Sequence, residues 1–313
     1  MASNIQEALK IIAEEQEKQK LEMYSKGFST NRIIFGDCLE HMSKIPTGMI
    51  DLCITDPPWG INFDTFREKF KDVKIANDLY KDFLHLMETF PYELNRILKD
   101  NGVAYVFCGG TTVFRGEILN WVPATTIKLF LSAGFSPQRM IIWNKMSPGR
   151  MYKYRAKTEF VIYFVKKKTP VWNGCGEFKD DLIELEEEMV NIPKVHGSKK
   201  VHPTQKPDRI YESFINDSSN PGDLILDPFA GSGVIVSACK NTGRNYLAIE
   251  KEECYHEFIE SREKQITLLE TISKVKQVNI YGGQESVVPG FEVEKEKHDY
   301  SFMEDDDEQG ENK

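Results

Sequence analysis

Asp223-Leu-Ile-Leu-Asp-Pro-Phe-Ala-Gly-Ser-Gly233, continued by Val234-Ile-Val-Ser-Ala-Cys-Lys240, changes character twice within a short span. It begins as an unbroken apolar run, passes through a glycine-rich turn and ends in a helix-like segment. An apolar run without polar alternation reads as a strand buried on both faces, as in parallel sheets. Gly231 and Gly233 let the backbone turn sharply and come close to a ligand. The helix that follows offers unpaired N–H groups at its start. Glu250 lies 23 residues after Asp227 and ends the next strand candidate, Tyr246-Leu-Ala-Ile-Glu250. A carboxylate in that place suits two ribose hydroxyls. A bare G-x-G carries little weight, but strand, glycine loop, helix, strand and terminal acid together mark a ligand site. The loop lacks the Lys-Ser/Thr of a phosphate-binding loop, which disfavours a triphosphate.

Five further apolar runs extend this pattern: Arg32–Asp37, Asp51–Asp56, Gly102–Gly109, Gln138–Trp143 and Glu159–Val165. Leu79, Phe83, Leu86, Met87, Phe90 and Leu94 recur at helical spacing between Asp78 and Leu98, and residues 119–133 and 252–270 behave similarly. Strand–helix alternation predicts an α/β fold, a doubly wound, mostly parallel seven-stranded sheet. The runs around Trp143 and Val161 are joined without a helix, which predicts an antiparallel hairpin within that sheet. Residues 1–28 read as a helical arm and 29–284 as one principal domain. Within it lie halves 29–168 and 201–270 joined by a polar connection, 169–200. Residues 285–313 read as an acidic, disordered tail.

Asp56-Pro-Pro-Trp59 follows the second of these runs. Pro-Pro cannot continue a central strand, so a rigid turn is the plain reading. Chemically the tetrapeptide offers more: a carboxylate, carbonyls without competing N–H donors, and an aromatic face. That set suits an exocyclic amine. Open α/β sheets bind ligands at the carboxyl ends of their strands, where Asp56 and Asp227 both fall.

The 313-residue chain has a net charge of −9, which at first argues against nucleic acid. Residues 291–313 carry ten acids and three bases, a net −7, so about −2 remains for the other 290 residues. Lys145–Lys168 holds eight bases against Glu159 alone. A local basic stretch is what phosphate contact requires, and Lys145, Arg150, Lys153, Arg155 and Lys157 are its candidate phosphate-contacting residues. The six cysteines form no C-x-x-C pair, which points to reduced, buried thiols and no metal site. No apolar run is long enough to span a membrane and the N-terminus lacks a signal pattern, so a cytoplasmic location is expected.

Asp56-Pro-Pro-Trp59 and Asp227-Pro-Phe-Ala-Gly-Ser-Gly233, with His202-Pro-Thr-Gln-Lys-Pro207 between them, resemble the S-adenosylmethionine-dependent DNA amino-methyltransferases. The order, catalytic tetrapeptide before cofactor loop, resembles the permuted β class. The resemblance covers roughly residues 30–270 and implies a Rossmann-like methyltransferase fold. It implies that Asp227, Phe229, Ala230, Gly231, Ser232 and Gly233 surround the methionine part of S-adenosylmethionine, with Asp56 adjoining. It places Glu250 at the ribose, Asp37 near the adenine, and Thr204 and Lys206 at the cofactor carboxylate. Asp56, Pro57, Pro58 and Trp59 would handle the N6 amino group of an adenine flipped out of duplex DNA. Cytosine-N4 or RNA as target, or a silent binding module, are the alternatives. Carbon-5 methylation is disfavoured, because no Pro-Cys dipeptide occurs. The resemblance leaves open a restriction endonuclease partner and a homodimer.

Overall fold

Val103, Tyr105 and Phe107 of one strand enter one hydrophobic cluster, while the intervening Ala104, Val106 and Cys108 enter another. This two-residue alternation, with both sets buried, shows that the strand lies between two apolar layers. A computed structural model describes residues 29–60, 80–109, 111–114, 117–145, 157–174, 179–185 and 205–264. All of them fall in the compact unit Met1–Leu268, and the second unit, Leu269–Lys313, contains none.

The sheet strands are β1 (Arg32–Phe35), β2 (Ile50–Thr55), β3 (Leu98–Cys108), β6 (Ser136–Asn144), β7 (Thr158–Val165), β8 (Leu182–Glu184), β9 (Leu224–Asp227) and β10 (Asn245–Glu250). They are ordered β1-β10-β9-β2-β3-β7-β6-β8. The first five are mutually parallel. β7 runs antiparallel to both β3 and β6, and β8 is parallel to β6. The expected hairpin is therefore present, and among the described residues the sheet has eight strands where seven were expected. The additional one, β8, lies in the segment expected to be a polar connection. Its side chains are mostly exposed, so it carries no apolar run, and pairing with β6 alone defines it. A separate ribbon pairs β4 (Thr111–Phe114) with β5 (Glu117–Trp121).

Helices α1 (Cys38–Met42), α2 (Tyr80–Ile97) and α3 (Val122–Ser132) cover one face of the sheet. Phe83, Met87, Phe90 and Leu94 form the buried stripe of α2, spaced by three or four residues. The helix expected over 119–133 starts only at Val122, where Pro123 suits a first turn and the preceding residues pair in the ribbon. Helices α4 (Asp208–Ser218), α5 (Val234–Thr242) and α6 (residues 256–264) cover the other face. No described helix is long and apolar enough to cross a membrane. Cys38, Cys53, Cys108 and Cys239 are buried and free as expected, whereas Cys254 is exposed. The arm 1–28, the tail 285–313 and Cys175 lie outside the described residues.

The helices after β2 and β9 pack on opposite faces, although these strands are neighbours. A crevice must open between their carboxyl ends, and it is there that open α/β sheets hold ligands.

Candidate active site

Five strand ends supply the site. Asp56 follows β2, Asp227 and Glu250 end β9 and β10, Asp37 follows β1, and Gly109 follows β3. Because β7 is antiparallel, its first residues lie at the same end, where Glu159 pairs with Trp143 in register.

The glycine loop is wired to the neighbouring strand. The Ala230 N–H donates to the Ile249 carbonyl, and the Gly231 N–H donates to Glu250 Oε2 at 2.7 Å. Gly231 and Gly233 have φ of 51° and 78°, the left-handed region that side chains disfavour. A Cβ at Gly233 would stand 3.1 Å from Ile259 of α6. Asp227 is fully buried, accepts from the Phe229 N–H at 3.1 Å and from the Tyr211 hydroxyl at 3.3 Å, and burial pushes its carboxyl up to about 7. Glu250 also accepts from the Glu252 N–H, and burial pushes it up to about 7 as well. Asp37 caps α1 through the N–H of Leu39 and lies 3.1 Å from Lys251. Phe229 turns toward the core and meets Phe90 edge-on at 5.3 Å. Ala230 and Ser232 are buried in the loop.

The resulting row of three carboxylates, on adjacent strands β1, β10 and β9, suits a ligand bearing positive charge and hydroxyl or amino donors. S-adenosylmethionine has a sulfonium, an ammonium, a ribose and an adenine amine, and its donor set fits these residues.

On the β2 side, Lys206 donates to Asp56 Oδ2 at 2.6 Å and lies 3.1 Å from Glu159 Oε2. Lys145 donates to Glu159 Oε1 at 2.8 Å. Four charged groups thus alternate in a chain, Asp56–Lys206–Glu159–Lys145. Lys206 is only 4% exposed, so neither acid would tolerate losing it. Its ammonium also faces the rings of Trp59 and Phe107, at 5.3 and 5.2 Å. Burial raises the Asp56 carboxyl above its ordinary value, Lys206 opposes that rise, and Glu159 adds to it. Burial would raise Glu159 too, but the two lysines outweigh it and hold that group low. Asp56 Oδ1 and Trp59 Nε1 are buried and make no well-aligned hydrogen bond, although the Trp59 indole N–H is close enough to Asp56 to help hold its carboxyl down.

The resemblance implied that Lys206 reaches the cofactor carboxylate; in the structure its ammonium contacts Asp56 and Glu159. The sequence placed Lys145 at DNA phosphates, whereas here Lys145 turns inward to Glu159. Lys157 is exposed at the start of β7, while Arg150, Lys153, Arg155, His202 and Thr204 lie outside the described residues. The basic stretch does not form one surface. β7 carries it roughly 24 Å along the sheet, so Lys166–Lys168 sit at the opposite end, bonded to Leu98 and Asp100. Two residues were missed as site residues, Glu159 and Tyr211. Glu159 stands at the start of an apolar run, where a charged residue gives a sequence signal, whereas Tyr211 sits among Asp208, Arg209 and Glu212 of an amphipathic helix and gives none; neither lies near its partner in sequence.

A family model described as DNA methylase matches residues 50–261. The chain is 30% identical over 252 residues to the DNA adenine methyltransferase YhdJ of Escherichia coli K12, covering 72% of this chain and 79% of that protein. It is 28% identical over 257 residues to the type II methyltransferase M.HinfI of Haemophilus influenzae, covering 75% and 69%. Among solved structures, the M1.HpyAVI–SAM complex shares 26% identity at a TM-score of 0.53, covering 74% of this chain and 98% of that one. The cytosine-N4-specific PvuII methyltransferase matches in fold, with 20% identity and a TM-score of 0.55 over 72% and 83%.

Proposed function

The chain belongs to the DNA methylase family, and on that premise we propose that it methylates the N6 amino group of adenine in DNA, with S-adenosylmethionine as donor. The observation that carries this reading is Asp56, a buried carboxylate at the β2–β9 crevice whose Oδ1 is not taken up by Lys206.

When bound, the cofactor supplies an electrophilic methyl group on a sulfonium. The acids at the ends of β9, β10 and β1 would hold its cationic and donor groups; the M1.HpyAVI structure, solved with SAM, supports that cofactor. The amine lone pair of adenine is delocalised into the ring and is a weak nucleophile. Asp56 Oδ1 accepts one amine N–H and the Pro57 carbonyl accepts the other. Both bonds favour a tetrahedral nitrogen and localise the lone pair for in-line attack. Pro58 fixes the turn, and Trp59 stacks on the base. As the new N–C bond forms and the S–C bond breaks, the amine sheds one proton, for which Asp56 Oδ1 is the acceptor in reach. A base within a duplex cannot enter such a pocket, so the target nucleotide is flipped out.

The test is incubation with unmethylated DNA and S-adenosylmethionine, digestion to nucleosides and mass spectrometry. N6-methyldeoxyadenosine is expected. N4-methyldeoxycytidine, or no methylated nucleoside, would overturn the reading.

A further inference from the structure

We propose that Glu159 is a positioning residue for methyl transfer, holding Lys206 so that Asp56 keeps one oxygen turned to the substrate amine and the site does not become net positive. The inference rests on the reading of Asp56 given above. It starts from an imbalance. A single ammonium beside Asp56 would cancel the carboxylate, and the transition state spreads positive charge over sulfur, methyl and nitrogen. A site for that charge is poorly served by ammoniums in excess of carboxylates. Glu159 offsets that ammonium: with Lys145 beyond it the four groups sum to zero, whereas without Glu159 they would sum to +1.

The geometry agrees. Lys206 binds Asp56 through Oδ2, so Oδ1 is not taken up by the ammonium. Glu159 draws on the same ammonium from the other side, and Lys145 anchors its second oxygen from the end of β6. Lys206 precedes α4, Glu159 lies in β7 and Asp56 follows β2, so three separate elements converge on one ammonium. A lysine held between two acids in this way cannot swing across both oxygens of Asp56.

The experiment compares wild type with Glu159→Gln on unmethylated DNA, reading single-turnover transfer of a labelled methyl group across pH. Calorimetry of S-adenosylmethionine binding is run in parallel. Other titratable groups facing Asp56 are Asp227 of β9, Tyr211 of α4 and Cys108 of β3, and all stay unchanged. Transfer in Glu159→Gln is expected to fall by about tenfold or more. Cofactor affinity should stay within about twofold of wild type, because the side chain acts through Lys206. The acid limb of the rate profile should move down by about one pH unit, because a neighbouring negative charge is gone. Glu159→Asp keeps the charge, and should leave the limb in place and recover part of the rate. Should Glu159→Gln not fold, Glu159→Asp carries the test alone: a reduced rate with an unmoved limb and near wild-type cofactor affinity is expected, and an undiminished rate would overturn the proposal. Wild-type transfer with an unmoved limb would overturn the proposal, as would a large loss of cofactor affinity in Glu159→Gln. A wild type that methylates no adenine would instead overturn the reading of the site itself.

Discussion

The indole of Trp59 lies against Gly109, so closely that a Cβ on Gly109 would overlap the ring. Gly109 follows β3 and Trp59 follows β2, so two adjacent strand ends set the orientation of one aromatic face. Base–aromatic stacking is worth about 1–3 kcal/mol, or roughly 5- to 150-fold. Trp59→Ala should therefore lower transfer within that range while sparing cofactor affinity. Gly109→Ala should produce a similar loss by displacing the ring without removing it. Titrating both variants with DNA and with S-adenosylmethionine separates the two effects. Unaltered transfer in Trp59→Ala would leave the indole a packing group.

Removing the acceptor itself has a larger consequence. Asp56→Ala should reduce methyl transfer by roughly 100-fold or more, on the scale of losing one oriented group in a transition-state site. Cofactor binding should persist, because the glycine loop and the acids of β9 and β10 are untouched. Transfer near the wild-type rate in Asp56→Ala would remove it from the chemistry.

Gly231→Val should act in the opposite sense. At a φ of 51° a β-branched side chain is strained by about 1–2 kcal/mol, and its bulk enters the cofactor loop. Cofactor affinity should drop by at least about tenfold, with lower thermal stability. Calorimetry and a melting curve together check both. Unchanged affinity would count against the loop assignment.

Asp227 and Glu250 make ligand binding depend on pH. Both carboxyls are pushed up to about 7 by burial. An acid whose folded pKa is raised contributes stability that is complete below its unfolded pKa, near 4, and is lost as pH rises through about 7. The ligand-free protein should accordingly lose stability between pH 4 and 7 on account of these two groups. A cationic ligand favours the ionised acids, so binding should release protons and tighten as pH rises from about 6 to 8. Calorimetry in buffers of different ionisation enthalpy reads the proton count directly, and proton uptake would contradict the assignment.

Affinity for duplex DNA should fall with salt at a slope near −0.9 for each phosphate contact. Replacing Arg150, Lys153, Arg155 and Lys157 by Ala should flatten that slope by up to about four contacts, and deleting residues 291–313 should leave transfer intact. Binding measured at several salt concentrations decides, and an unchanged slope would reduce these bases to a solvated face.

Much of the fold was legible because its signals are local. Runs such as Leu224-Ile-Leu226 are apolar on both faces, and the sheet buries them on both. The acids at the ends of β2, β9 and β10 could likewise be placed, since a strand's end is visible where its apolar run stops. What could not be read was long-range partnership. Lys206 and Asp56 are 150 positions apart, and no periodicity connects them. A lysine before a helix reads as well for a ligand carboxylate as for a protein one, so only the packed chain shows which acids surround it. β8 escaped notice for the related reason that only pairing defines it.

Tyr246 of β10 receives both borders of the described chain. Its carbonyl accepts the Asn31 N–H at 2.8 Å, just before β1, and its hydroxyl bonds to Glu263 in α6. The two borders are thus neighbours, while the polar segment between β8 and α4 separates the portion bearing Asp56 from the portion bearing Asp227. A chain joined across Tyr246 and opened in that segment would retain every strand pairing while presenting its glycine loop first and its Asp-Pro-Pro-Trp turn last. Which motif leads is then an accident of where the polypeptide is cut, and a circularly permuted protein assembled this way should rebuild the same crevice.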